Sequence, residues 1–140
     1  MRRDAESRGW RWGQRLLAAL LGVVATAALP PVDFPPALLV AFTGLLLLGR
    51  DAGPGRGFAL GWWFGLGHFT SGLYWIANAF TIDGDRFVWF IPFASLGLPA
   101  ILAIYSGLAL AITQAPRLEG VGRVLFFAVV WTAKIGRAHV

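Results

Sequence analysis

Few side chains in this sequence are of types that could do chemistry, and the densest group of them lies in one apolar stretch, residues 57–82. His68, Thr70, Ser71 and Asn78 all fall there. An ionisable residue in so apolar a segment is a functional candidate, because the segment must gain something to offset its polarity. Two readings of His68 stand: a direct functional role, or a hydrogen bond to a neighbouring helix. A metal site needs three or four ligands, and no carboxylate or second histidine lies near His68 in the sequence, so no metal centre is expected. Nor does a nearby acid orient it as a general base. Tyr74 and Trp75, with Trp89 in the following segment, sit where an interfacial aromatic belt would place them. Together with His68 and Asn78 they are also candidates to line a lipid or substrate groove.

Elsewhere the inventory is thin. Ser95 and Ser106 have no partnered histidine, and Asp83 and Asp85 around Gly84 make a weak cation or turn signal. The chain has no cysteine, which removes disulfides, thiolate metal sites and a cysteine nucleophile at once. No cofactor is implied. Gly57, Gly61 and Gly65 recur every four residues on one helix face, the spacing that lets two membrane helices approach closely. Gly65-Leu-Gly67 is no nucleotide fingerprint, since no strand precedes it and position 70 is not glycine.

The elements that must position these residues follow from composition. Of 140 residues 57% are hydrophobic and 14% charged, against about 25% charged in an ordinary soluble domain. Mean hydropathy is +0.66. Such a chain is not disordered, and it is too short to hide this much apolar surface from water. The expected fold class is therefore all-α, a polytopic transmembrane helix bundle of four spans and part of a fifth. The expected spans are 16–29, 37–49, 57–82, 87–113 and 121–133, preceded by a basic terminus at 1–15. A basic start before a short apolar run also fits a signal peptide, but the apolar segments that follow at once favour a first membrane helix. Pro92 and Pro99 should bend the fourth span.

Loop charges set an orientation. With a cytoplasmic N-terminus, the inner regions hold nine arginines (2, 3, 8, 11, 15, 50, 56, 117 and 123) and the outer loops only Arg86. This positive-inside asymmetry accounts for the net charge of +5. It leaves little for nucleic acid, because the basic residues sit in gaps between apolar runs and not along one face. Residues 134–140 break the pattern, placing Lys134 and Arg137 in what should be the middle of a span. Back-translated as AAG ATC GGA AGA GCA CAC GTC, this tail reads as a sequencing-adapter sequence, so the evolved part is expected to stop near 133.

Several motifs occur in an order that resembles a known family. Arg15-Leu-Leu-Ala-Ala-Leu-Leu-Gly22, Leu29-Pro-Pro-Val-Asp-Phe34, Gly61-Trp-Trp-Phe-Gly-Leu-Gly67 and Ser71-Gly-Leu-Tyr-Trp75 come first, then Tyr105-Ser-Gly-Leu108 and the run 125–132. From about Arg15 to Ala133 the chain resembles the N-terminal membrane region of bacterial apolipoprotein N-acyltransferase. The resemblance implies a multi-pass inner-membrane enzyme moving an acyl chain from a phospholipid donor to the N-terminal cysteine of a lipoprotein acceptor. The chemistry it implies, a Glu-Lys-Cys triad acting through a thioester in a periplasmic nitrilase-like domain, has no counterpart here: there is no cysteine, and the sole lysine is Lys134. No catalytic residue is therefore assigned, and the chain alone is expected to be inactive. His68 departs from the apolar residue expected at its position. The rival reading is a small non-enzymatic membrane protein, such as a transporter subunit or assembly partner. The lack of paired mid-span charges and of internal repeats tells against it.

Overall fold

A computed structural model describes residues 2–74, 91–116 and 118–136. Within them the chain is helical, with no strand. Helix α1 is Arg2–Thr26, α2 Pro36–Leu48 and α3 Pro54–Gly72. A five-residue π-helical turn, Phe93–Gly97, runs directly into α4, Leu98–Gln114, and α5 is Gly120–Gly136.

Proline punctuates these elements. Pro36 and Pro54 sit in the first turns of α2 and α3, where a missing N–H costs nothing; Pro99 lies inside continuous helical backbone. The π turn lies between Pro92 and Pro99. Pro99 has no N–H to offer the turn before it, and the Leu98 N–H reaches back five residues to the Phe93 carbonyl. The wide turn is thus the local answer to proline, in place of a break. Between α1 and α2 the Phe34 N–H closes on the Ala27 carbonyl at 2.9 Å. Asp33 takes a left-handed φ of 49° there, a conformation aspartate tolerates better than bulkier residues.

Helix α3 is the centre of the bundle, packed along α4 on one side and α1 on the other; α2 leans on α1, and α5 on α4. The α3–α4 seam is closed by the glycine face. A methyl carbon at Gly61 would lie 2.5 Å from the Ser106 carbonyl oxygen and 3.0 Å from the Gly107 Cα; one at Gly65 would lie 2.8 Å from the Ala103 Cα. Those obstacles are backbone and cannot swing aside. At Gly57 the obstacle is the flexible Gln114 side chain, at 2.8 Å.

The outer surface is apolar. Leu39 and Val121 are each 73% exposed, and Leu20, Ile101, Leu125 and Val129 are also open. Ser95–Gln114, 20 residues, is long and apolar enough to cross a membrane, while Pro36–Leu48 and Gly120–Ala133 are shorter apolar helices. Several expected boundaries shift. Residues 2–15 are helical and run unbroken into the expected first span as α1. The α3 helix ends at Gly72, where the Leu73 N–H caps the Phe69 carbonyl; residues 75–82 of the expected 57–82 span lie outside the described residues, as do 87–90. Helix α5 continues past 133 to Gly136, and 137–140 are not described.

Substituting Gly61→Val should therefore lower stability by about 1–3 kcal/mol through overpacking against backbone. Gly13→Ala, where nothing lies within 4 Å of the added carbon, should raise it by roughly 0.5–1 kcal/mol. Denaturant titration of the micelle-solubilised chain, followed by circular dichroism, separates the two outcomes.

Candidate functional site

A second close seam joins α1 and α3. A methyl carbon at Gly22 would meet the Phe64 carbonyl, and one at Gly67 would meet the Ala19 carbonyl. Each helix presses a glycine onto the other's backbone. The close approach brings polar side chains together at the C-terminal ends of both helices. The Thr26 hydroxyl lies 2.7 Å from Ser71 Oγ and 3.3 Å from His68 Nδ1. Ser71 Oγ in turn lies 2.7 Å from the Gly67 carbonyl oxygen. The Thr26 hydroxyl also lies 3.3 Å from the Gly22 carbonyl oxygen and 3.2 Å from that of His68, and Ser71 Oγ 3.2 Å from the latter, so the hydroxyls have carbonyl acceptors as well as each other and the ring. The His68 ring also stacks on Phe64, with centroids 6.4 Å apart and planes at 16°.

The chemistry of this cluster is adhesive. Among the described residues no three His, Cys, Asp or Glu side chains gather to hold a metal ion. The geometry thus places His68 in a helix–helix hydrogen bond.

The other expected site residues divide. Gly57, Gly61 and Gly65 line the α3–α4 seam. Tyr74 is 63% exposed. Trp75, Asn78 and Trp89 lie outside the described residues, so their joint groove with Tyr74 is not in view. Ser106 is buried, its Oγ against Gly65.

Three features escaped sequence reasoning. The first is the α1 side of the second seam: Ala18, Gly22 and Thr26 repeat the small residue every four that was noticed only on α3. The second is an aromatic cluster in which Phe42 of α2 sits 5.5 Å from Phe127 and 5.0 Å from Trp131 of α5, ring to ring, and 5.7 Å from Phe64. Aromatics spread over three distant segments carry no local signal. The third is a buried polar node at the opposite end of the bundle from Thr26. Arg123, 9% exposed, donates to the Gly49 carbonyl at 2.8 Å, the Arg50 carbonyl at 3.2 Å and Gln114 Oε1 at 2.9 Å. It ties α5 to the end of α4 and the α2–α3 loop. At this same end Arg11, Arg15 and Arg56 line a concavity of about 260 Å³, Arg56 donates to Gln14, and Arg15 lies 4.9 Å over the Trp12 ring.

The Thr26 node is testable. Thr26→Val should cost about 0.6 kcal/mol, up to roughly 1.7, the range for interhelical hydrogen bonds in membrane proteins. In a double-mutant cycle with Ser71→Ala the two losses should be less than additive; strict additivity would mean the hydroxyls are not coupled.

Comparison with known proteins bears on this architecture directly. Residues 21–134 match the family model described as the apolipoprotein N-acyltransferase N-terminal domain. Proteins named apolipoprotein N-acyltransferase match as well. The chain is 43% identical over 129 residues to that of Rhizobium rhizogenes, 45% over 131 to that of Brucella melitensis, and 38% over 129 to that of Rhodopseudomonas palustris. The alignments cover 85%, 86% and 88% of this chain but 24% of each relative, so it spans about a quarter of the length of the relatives it matches. All of α2, α3 and α4 and most of α5 fall inside the matched region, and on that ground the chain belongs to the apolipoprotein N-acyltransferase family, within its N-terminal domain.

Proposed function

We propose that this chain is membrane scaffold for an enzyme that transfers an acyl chain from a phospholipid to the N-terminal cysteine of a lipoprotein. The observation that carries the reading is the match of residues 21–134 to the N-terminal domain of that family. The physical character of the bundle supports it. Side chains such as Leu39, Ile101 and Val129 point outward, an arrangement that suits hydrocarbon as solvent far better than water. The tightest contacts are made by small residues and a hydroxyl, the means by which helices adhere where lipid is as apolar as leucine.

The reading includes a multi-pass placement in a bacterial inner membrane, with the N-terminus, Arg50 and Arg56 on the cytoplasmic side. Nine arginines against one across alternating loops favour that orientation. An alkaline phosphatase reporter fused after Phe34 should then be active, and one fused after Ala52 inactive; the reverse pattern would overturn the orientation.

Acyl transfer through a thioester needs a thiolate nucleophile, and these 140 residues hold no cysteine. The bundle's part is to hold and orient. The chain expressed alone should give no N-acylation of a diacylated lipoprotein, read as the mass of its N-terminal peptide, and turnover by this chain would refute the placement of chemistry elsewhere.

A further inference from the structure

Positive-inside sorting accounts for arginines gathering at one end of the bundle, but not for three of them converging on one hollow. The concavity of about 260 Å³ lies between α1 and the first turns of α3. Arg11 and Arg15 wall it from α1 and Arg56 from α3, over a floor at Leu60, which is 2% exposed. Among the described residues that line it there is no carboxylate. Arg11 and Arg15 stand four residues apart on one helix, a spacing at which like charges are unfavourable. An anion seated between the guanidinium groups reverses the sign of that interaction.

Two of the three side chains are held by neighbours that leave them donors to spare. Arg56 donates to Gln14, which takes one of the five N–H groups of a guanidinium. The Arg15 guanidinium lies 4.9 Å over the Trp12 ring, and indole has no acceptor to offer it. Side chains already held in place lose less freedom when a ligand arrives.

Size and charge select the ligand. The hollow holds far more than one water, whose share of the liquid is about 30 Å³. It falls just below the roughly 300–1,000 Å³ of sites for drug-sized molecules. A phosphate group with a small substituent suits that range. A phosphate monoester carries a charge of about −1.5 to −2 at pH 7 and three strong acceptor oxygens, enough to engage each of three guanidinium groups. A phosphodiester, the form found within a membrane lipid, has a single negative charge and two unesterified oxygens, and leaves one arginine unmatched.

We propose that the hollow between α1 and α3 is a binding site for a small water-soluble phosphate, inorganic or a monoester, held by Arg11, Arg15 and Arg56. The site lies at the opposite end of the bundle from Thr26 and makes no use of the acyl-transfer reading. It holds whichever side of a membrane this end faces, so it stands apart from the orientation proposed above.

The full chain in phosphorus-free detergent micelles is titrated with phenyl phosphate and with inorganic phosphate, and binding is followed by phosphorus-31 NMR. Both should bind saturably, and dimethyl phosphate at least about tenfold more weakly, the equivalent of one hydrogen bond to a charged group. Arg15→Gln and Arg56→Gln should each weaken phenyl phosphate about tenfold on the same ground. Arg50→Gln removes the same charge at the same end but outside the hollow, and should leave the affinity unchanged. Ala59→Glu keeps all three arginines and sets a carboxylate among them, and should abolish binding. Uptake without saturation, or an equal loss in Arg50→Gln, means diffuse attraction to positive charge and overturns the site. Retained binding in Ala59→Glu places the anion elsewhere and overturns it too. Equal affinity for dimethyl phosphate, or displacement of phenyl phosphate by equimolar phosphatidylglycerol in the micelle, makes the hollow a lipid-headgroup contact and refutes a soluble ligand.

Discussion

Everything else in the bundle depends on how near α3 is allowed to come to its two neighbours. With the multi-pass placement proposed above, no apolar effect pushes the helices together, and association rests on dispersion between closely fitted surfaces and on hydrogen bonds across them. Dispersion falls steeply with distance, and the helices gain most where backbone meets backbone. Gly61 and Gly65 open α3 to the Ser106 region of α4, while Gly22 and Gly67 interlock α1 with α3. With two faces of α3 given to small residues, its bulky side chains have few places to go. Phe64 turns toward α2 and α5 and is 1% exposed.

Polar contacts then fix register, one at each end. Thr26 with His68 and Ser71 locks α1 to α3 where both helices finish. Arg123 does the equivalent at the other end, spending its guanidinium on the carbonyls of Gly49 and Arg50 and on Gln114. A charged side chain in the second turn of an apolar helix is expensive unless its donors are met. Here the acceptors are carbonyls just beyond the end of α2, which that helix cannot satisfy within itself. The arginine therefore anchors α5 to the loop that follows α2.

Much of this was legible in the residue order. All-helical architecture followed from composition and the lengths of the apolar runs, and the four-residue glycine spacing on α3 marked a face for close helix approach, which meets α4. The same spacing on α1, 18, 22 and 26, was legible in principle but was masked by alanine and threonine, which read as ordinary helix formers. That the basic terminus is itself helix was not read from its arginines at 2, 3, 8, 11 and 15, although arginine is a good helix former. The Phe42 cluster and the Arg123 node were not legible, because their members come from α2, α3, α4 and α5 and only packing brings them together. His68 shows the limit most clearly. Its rarity in an apolar segment drew attention to it, but a rare polar group in a membrane helix marks need for a partner, and that partner, Thr26, lies 42 residues away.

The two kinds of contact have different mechanical consequences. A seam of backbone on backbone has one good geometry, since an added methyl group would collide and a small slide would forfeit its fit; α1, α3 and α4 are rigid on that account. Helix α5 meets α2 through Phe42, Phe127 and Trp131, whose edge-to-face preferences are broad in distance and angle. Its outward face, with Val121, Leu125 and Val129, is open. One end of α5 is held by Arg123 and the middle by Phe127 and Trp131 against Phe42. The α1–α3 and α3–α4 seams are therefore the narrowly defined contacts of the bundle, and the α2–α5 contact is the one whose geometry the side chains leave broad.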